Sequence, residues 1–438
     1  MTAGSSCRTR NSDAHAQTVA VSLRFGVDRL CAEPTRLQAL WRAQADAPPD
    51  AQPTTMRRVG LVTNDAARLA TDPSRRSREA LREVLPAAGV ALVRLFGPEH
   101  GLQATAPDGA PVRDDIDALT GVPVLSLYGE RLRPTADSLR DLDALLFDIP
   151  DVGARFYTYT WTLYHVMAAC AEAGVPLVVL DRPNPLGGEL SQAEGPVLRE
   201  ECRSFVGEDA IPVRHALTLG ELARLWQRER FPDSTRHAML HVIACDGYTR
   251  AMHWPDTGCA WVPTSPSMPS YASAACYPGT CLFEATNLSV GRGTAMPFQV
   301  VAAPWMDAPA VAHEVARRTH GAVACTPVTF TPMLAPYANV PCHGVRIAPA
   351  DALGMGPVAL GLLLLASVMT VHRAAFAWAA YPTAANPSGH GHLARLIGRA
   401  DLQPWFDREA EHIDLAQVRD WTRLDDWAER VQPALLYR

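Results

Sequence analysis

At 438 residues the chain exceeds what one ordinary hydrophobic core organises, so two domains are the default expectation. Its composition is globular, 48% hydrophobic and 20% charged, with a mean hydropathy near zero. The net charge of -6 leaves no basic footprint, which argues against nucleic acid as a partner and leaves sugars open.

Residues 1–24 carry Arg8 and Arg10 but no apolar run behind them, so they read as disordered and not as a signal peptide. A helix-like piece follows from Pro34 to Ala45, then a polar, proline-bearing linker from Pro48 to Thr55. Beyond it a rhythm sets in. Val59 to Asn64 reads as a strand, Arg75 to Ala88 as a helix, and Ala91 to Phe96 and Val122 to Leu127 as strands. Asp137 to Asp143 makes a short helix, Ala144 to Ile149 a strand, Thr162 to Ala173 a helix stopped by Gly174, and Pro176 to Leu180 a strand. Alternation of this kind specifies βαβ units. The fold class is therefore α/β, a Rossmann-like doubly wound parallel sheet (residues 25–300) with a smaller C-terminal α/β subdomain (301–438).

Pro255 to Pro304 reads as loop-rich. The run from Leu353 to Val371 carries no charge, but its glycines and its globular surroundings favour a buried helix over a membrane span. The ten cysteines form no C-x-x-C pair and read as small buried hydrophobes. A reducing compartment follows, the cytoplasm, with the periplasm as the alternative.

In a parallel sheet, polar groups at the carboxyl ends of the strands converge on one edge. Those ends supply Asn64, Glu99 with His100, Tyr128, Asp148 with Asp151, and Asp181 with Arg182 and Asn184. Glu99, shielded between Pro98 and Gly101, is the sharpest candidate for a proton donor. Asp148 and Asp151 either partner it or cap the following helix. Arg155, Arg182, Arg214 and Arg292 could hold a substrate carboxylate bidentately, or pair with nearby aspartates. Tyr157, Tyr159 and Trp161 alternate as on a strand or extended loop. Gly291 and Gly293 around Arg292 suggest a close backbone approach, in a segment, 277–294, too rich in small and polar residues for a core.

Histidines 100, 215, 253, 343, 390 and 392 fit no metal-ligand spacing, and His390-Gly391-His392 reads as surface; no metal is expected. No G-x-G-x-x-G follows the first strand, no P-loop and no G-x-S-x-G elbow is present, so a nucleotide enzyme or a serine hydrolase is disfavoured and no cofactor is expected.

Gly97-Pro98-Glu99-His100-Gly101, Phe147-Asp148 with Asp151 to Tyr159, and Asp181-Arg182-Pro183-Asn184-Pro185 together resemble the exo-β-N-acetylmuramidase family typified by NamZ. Glu194 to Leu198, Ser204 to Gly207, Pro212 to His215 and Tyr277 to Thr294 extend the resemblance over most of the chain. It departs from the family pattern at Pro150, Ser267, Ala285 and Val290. The resemblance implies a Rossmann-like part and a smaller part with the site between them. It also implies release of N-acetylmuramic acid from peptidoglycan-derived disaccharides or muropeptides, with Glu99 as the acid. Glycoside hydrolysis usually uses a second carboxylate, for which Asp148, Asp151, Asp181 and Glu284 stand available and Asp151 is preferred. His215 and Asn287 join the substrate-binding candidates through the resembling segments. A non-catalytic muropeptide-binding protein on the same fold is the competing reading.

Overall fold

The apolar runs assemble into one seven-stranded sheet. The computed structural model describes residues 23–42, 56–232, 240–383 and 386–438; the expectations for residues 1–22 and for the linker Pro48 to Thr55 lie outside these. The strands are β1 (Arg57–Thr63), β2 (Val90–Gly97), β3 (Asp115–Ile116), β4 (Pro123–Ser126), β5 (Ala144–Asp148) and β6 (Leu177–Leu180). An antiparallel pair, β7 (Glu194–Val197) and β8 (Pro212–Arg214), intervenes before the seventh sheet strand, β9 (Leu240–Ile243). The order is β3-β4-β2-β1-β5-β6-β9, all parallel except the edge strand β3. The chain winds outward on one side from β1 and then on the other from β5, so the switch point lies between them. The expected α/β fold is the observed one.

Strands buried on both faces explain the unbroken apolar runs: every residue of β5 and β6 is buried. The helix Tyr159–Ala173 ends at Gly174, whose φ of 67° is the left-handed stop expected there. It begins earlier than its apolar period suggests. Tyr159 opens it and Trp161 lies inside it, so the alternation of Tyr157, Tyr159 and Trp161 is not a strand. Trp161 packs against Trp226 of the helix Leu219–Glu229, their fully buried rings 5.7 Å apart.

The C-terminal part contains an antiparallel sheet of β10 (Val300–Ala303), β11 (Thr326–Phe330) and β12 (Cys342–Arg346), in the order β10-β12-β11, and is otherwise mostly helical. The uncharged run forms the helix Pro357–Val371, which is buried from Pro357 to Met369. Among the described residues no single helix is long and apolar enough to cross a membrane. Small residues in segment 277–294 turn out to serve packing. The helix Tyr271–Thr280 meets the helix Pro357–Val371 backbone to backbone, and a Cβ on Gly279 would lie 1.9 Å from the Pro357 carbonyl oxygen. This corrects the loop reading: bulk is excluded there by a neighbouring helix.

Two buried polar side chains hold the parts together. Glu194 of β7 accepts hydrogen bonds from the Val358 and Ala359 N–H groups (3.2 and 3.1 Å), capping the buried helix from across the molecule. Arg155 donates to the carbonyls of Pro196 (2.8 Å), Ile211 (2.9 Å) and, in the C-terminal part, Leu396 (2.7 Å). Every described cysteine is unpaired.

Candidate active site

A cleft with about 780 Å³ of free space, mouth included, opens where the end of β2 faces the C-terminal part. Glu99 lies in its wall, 5% exposed. Its Oε1 accepts from the Gly109 N–H (3.0 Å) and its Oε2 from the Thr158 hydroxyl (2.6 Å). The Tyr128 phenol faces the same cleft beside this carboxyl, and burial, followed by the Glu99 charge, pushes that phenol's pKa well up. The carboxyl is thus fixed by two neutral donors, with no cation bonded to it among the described residues. Next to it His100 takes a left-handed backbone (φ 67°), and its Nδ1 lies 2.8 Å from the Ala106 carbonyl oxygen. A carbonyl only accepts, so Nδ1 carries the hydrogen.

Asp108 completes this corner. Glu99, His100 and Asp108 each bring one ligand atom within 4.8 Å of the others, a grouping that could hold a cation. No spacing in the sequence announces it. A third of the Asp108 side chain (33%) still reaches solvent. Burial opposes its charge, but Arg292 and the Tyr381 hydroxyl (2.6 Å) outweigh this and hold its carboxyl below the ordinary range.

The opposite wall is an ion-pair network. Arg292 Nε donates to Glu284 Oε1 at 2.6 Å, and an Arg292 amino nitrogen lies 3.4 Å from Asp108 Oδ2. Its guanidinium also rests over the Phe298 ring at 5.0 Å. Burial raises the Glu284 carboxyl above its ordinary value, and Arg292 offsets only part of that. Gly291 and Gly293, with φ of 78° and 76°, make the turn that presents Arg292. The close approach they allow is to Met296 and Leu334 of the same chain. Tyr381 stacks on His392 (4.7 Å), and burial pulls the His392 imidazole down to about 4, so it is neutral near pH 7.

Of the sequence candidates, Glu99, His100, Tyr128, Tyr157, Glu284 and Arg292 line this cleft. The others do not. Asn64 donates to the Tyr159 hydroxyl (3.0 Å), and that hydroxyl donates to the Thr264 carbonyl (2.7 Å), so the switch point is filled by the protein's own side chains. Asp148 is completely buried under a bidentate pair with Arg182 (2.6 and 3.0 Å). Asp151 accepts from the Gly153 N–H (2.9 Å) and the Thr160 hydroxyl (3.3 Å), with His215 Nε2 at 3.5 Å; it faces a smaller cavity with Arg182, not Glu99. Asp181 accepts from Thr218 (2.7 Å), Gly220 (2.8 Å) and Tyr437 (2.6 Å), and burial raises it to about 6. Asn184 ties Leu186 to Leu217, and Asn287 ties Ala375 and Ala377. Arg155 is spent on its three carbonyls. These residues orient backbone and neighbouring side chains, which is the competing role open to any polar group at a strand end.

Thr158, Asp108, Tyr381, His392 and Arg395 line the cleft without having been expected there. His392 corrects the reading of His390-Gly391-His392 as surface: His390 is exposed, but His392 is buried against Tyr381. Asp108 follows no strand, and Tyr381, His392 and Arg395 belong to a segment with no apolar strand to point at it.

A carboxyl-lined cleft at the carboxyl edge of a Rossmann-like sheet, closed by a second part of the chain, defines an α/β protein with an enclosed site for a small polar ligand. Comparison with known proteins is specific. The models for exo-beta-N-acetylmuramidase NamZ match over residues 59–272 (N-terminal) and 275–437 (C-terminal), and the chain belongs to that family. It is 39% identical over 312 residues to peptidoglycan beta-N-acetylmuramidase NamZ of Bacillus subtilis, covering 71% of this chain and 73% of the relative. Two DUF1343 family proteins of Bacteroides fragilis share the fold. One has a TM-score of 0.78 at 28% identity, covering 95% of this chain and 100% of its own; the other has 0.67 at 27%, covering 95% and 99%.

Proposed function

We propose that this chain is an exo-acting glycoside hydrolase that releases N-acetylmuramic acid from the non-reducing end of peptidoglycan fragments, with Glu99 as general acid. The observation that carries the reading is the setting of Glu99, a buried carboxyl facing an enclosed cleft and oriented by Gly109 and Thr158. Such a group can hand its proton to the departing glycosidic oxygen without searching for geometry. Family membership supplies the substrate class.

Positive charge then develops at the anomeric carbon. Asp108, kept ionised by Arg292 and Tyr381 and within 4.8 Å of Glu99, is the carboxylate placed to face it. This spacing resembles the short separation of retaining enzymes more than the wider one that leaves room for a water. The 2-acetamido group of the substrate is the alternative nucleophile, and Asp108 would then orient it. Glu284 and Arg292 brace Asp108.

The test is an end-point assay on the disaccharide of N-acetylmuramic acid and N-acetylglucosamine. Wild type is expected to release free N-acetylmuramic acid, and Glu99→Gln to lose roughly 10²- to 10⁴-fold in rate. Disaccharide bound but never cleaved by wild type would make this a binding protein on the same fold.

A further inference from the structure

N-Acetylmuramic acid differs from N-acetylglucosamine by a lactyl ether ending in a carboxylate, and a site that tells them apart needs a cation not already claimed by the protein. Of the four arginines read from the sequence for holding a carboxylate, none is free. Arg155 holds three backbone carbonyls, Arg182 holds Asp148, Arg214 holds the Leu186 carbonyl and the Gln192 side chain, and Arg292 holds Glu284 and Asp108. His392 is neutral, and His100 Nδ1 is engaged by Ala106.

One guanidinium in the cleft wall remains. Arg395, on the helix His392–Ile397, lines the same cavity as Glu99, and its side chain has no hydrogen-bond or ion-pair partner among the described residues. The helix is held from behind, since the carbonyl of Leu396, the next residue, accepts from buried Arg155. Burial alone, with no carboxylate beside it, pulls the Arg155 guanidinium down to about 9. A fixed backbone therefore presents an uncommitted cation to a cleft whose own carboxylates are already paired or hydrogen-bonded.

Resting on the muramic acid reading above, we infer that Arg395 is the specificity-determining residue of the site, binding the lactyl carboxylate of the sugar whose glycosidic bond lies at Glu99. A guanidinium can grip that carboxylate through two parallel N–H···O bonds, which an ammonium cannot. The neutral sugar lacking the lactyl group leaves Arg395 in water and gains nothing from it. Arg155 acts as a positioning residue by holding the helix that carries Arg395.

The test is calorimetric binding of free N-acetylmuramic acid, its lactyl amide and N-acetylglucosamine to the full-length protein, which requires no turnover. Wild type is expected to prefer N-acetylmuramic acid over the other two by about tenfold to a hundredfold, the range for loss of a charge-assisted pair. Arg395→Gln should erase that preference while changing N-acetylglucosamine binding by less than about threefold, and Arg395→Lys should restore part of it. The lactyl amide gives the same answer on unmutated protein. Equal wild-type affinity for acid and amide, or an undiminished preference in Arg395→Gln, would overturn the assignment. A preference that persists in a wild type unable to cleave the disaccharide would overturn the hydrolase reading and leave Arg395 standing.

Discussion

On one wall of the cleft, Glu99, Thr158 and Tyr128 sit at or past the ends of parallel strands, and Thr158 and the Gly109 N–H hydrogen-bond the Glu99 carboxyl. On the other wall, Glu284, Arg292 and Tyr381 come from a 3₁₀ turn, a glycine turn and a loop, and form a network of buried charges. The first wall suits a group that must change protonation, because neutral donors fix the carboxyl without pairing it to a cation. The second suits groups that must not change, because each charge has an opposite one in contact. Asp108 belongs in sequence to the first wall and in electrostatics to the second.

Removing Glu99 should break this division most completely, at 10²- to 10⁴-fold in kcat with stability little altered. Arg292→Met should do the reverse. It strands Glu284 and Asp108 near each other and should lower unfolding free energy by about 3–5 kcal/mol in urea titrations. Adding Glu284→Gln to that variant should recover part of the loss. Arg155→Met separates the walls, leaving three carbonyl oxygens without their donor. A cost of about 3 kcal/mol is expected, with KM rising more than kcat falls, because the Arg395 helix loses its anchor. Thr158→Val removes one hydrogen bond from Glu99 and should lower kcat by about tenfold, with urea midpoints nearly unchanged.

The smallest effect is one of pH. Burial raises Glu194 from 4.5 to about 7 although two helix N–H groups donate to it. The folded state then binds a proton that the unfolded chain has released. Glu194's contribution to stability must fall as pH rises from about 4.5 to about 7 and stay level above that, against the rise that His392, held at about 4, contributes from about pH 4 to 6.5. Glu194→Gln should remove this falling contribution from urea midpoints measured across that range, leaving the parts due to Asp181 and His392.

The contrast between the walls also explains what the sequence discloses. The sheet was readable because buried parallel strands are unbroken apolar runs, and Glu99 because it follows one of them. Strand ends carry two kinds of polar residue, however. Asp148, Asp151, Asp181 and Asn184 occur at the same kind of position as Glu99 and are consumed by Arg182, Thr160, Thr218 and Leu217. Nothing in the local pattern separates a carboxyl facing a cleft from one facing a neighbour's donor. Arg395 and Tyr381 were invisible for a different reason. They reach the cleft only through tertiary packing, and an exposed-looking Gly/Ser/Pro stretch, 386–391, lies between them. The small residues of 277–294 misled because a helix pressed against another helix at Gly279 has the composition of a loop.

The most direct measurement is the leaving-group dependence of Glu99→Gln. A general acid matters when the leaving oxygen is strongly basic and hardly at all when it departs unaided. The variant should lose at least about 10²-fold in kcat on the N-acetylmuramic acid–N-acetylglucosamine disaccharide, yet less than about tenfold on a dinitrophenyl β-glycoside of N-acetylmuramic acid. Equal losses on both substrates would contradict proton donation by Glu99 and place the acid elsewhere in the cleft.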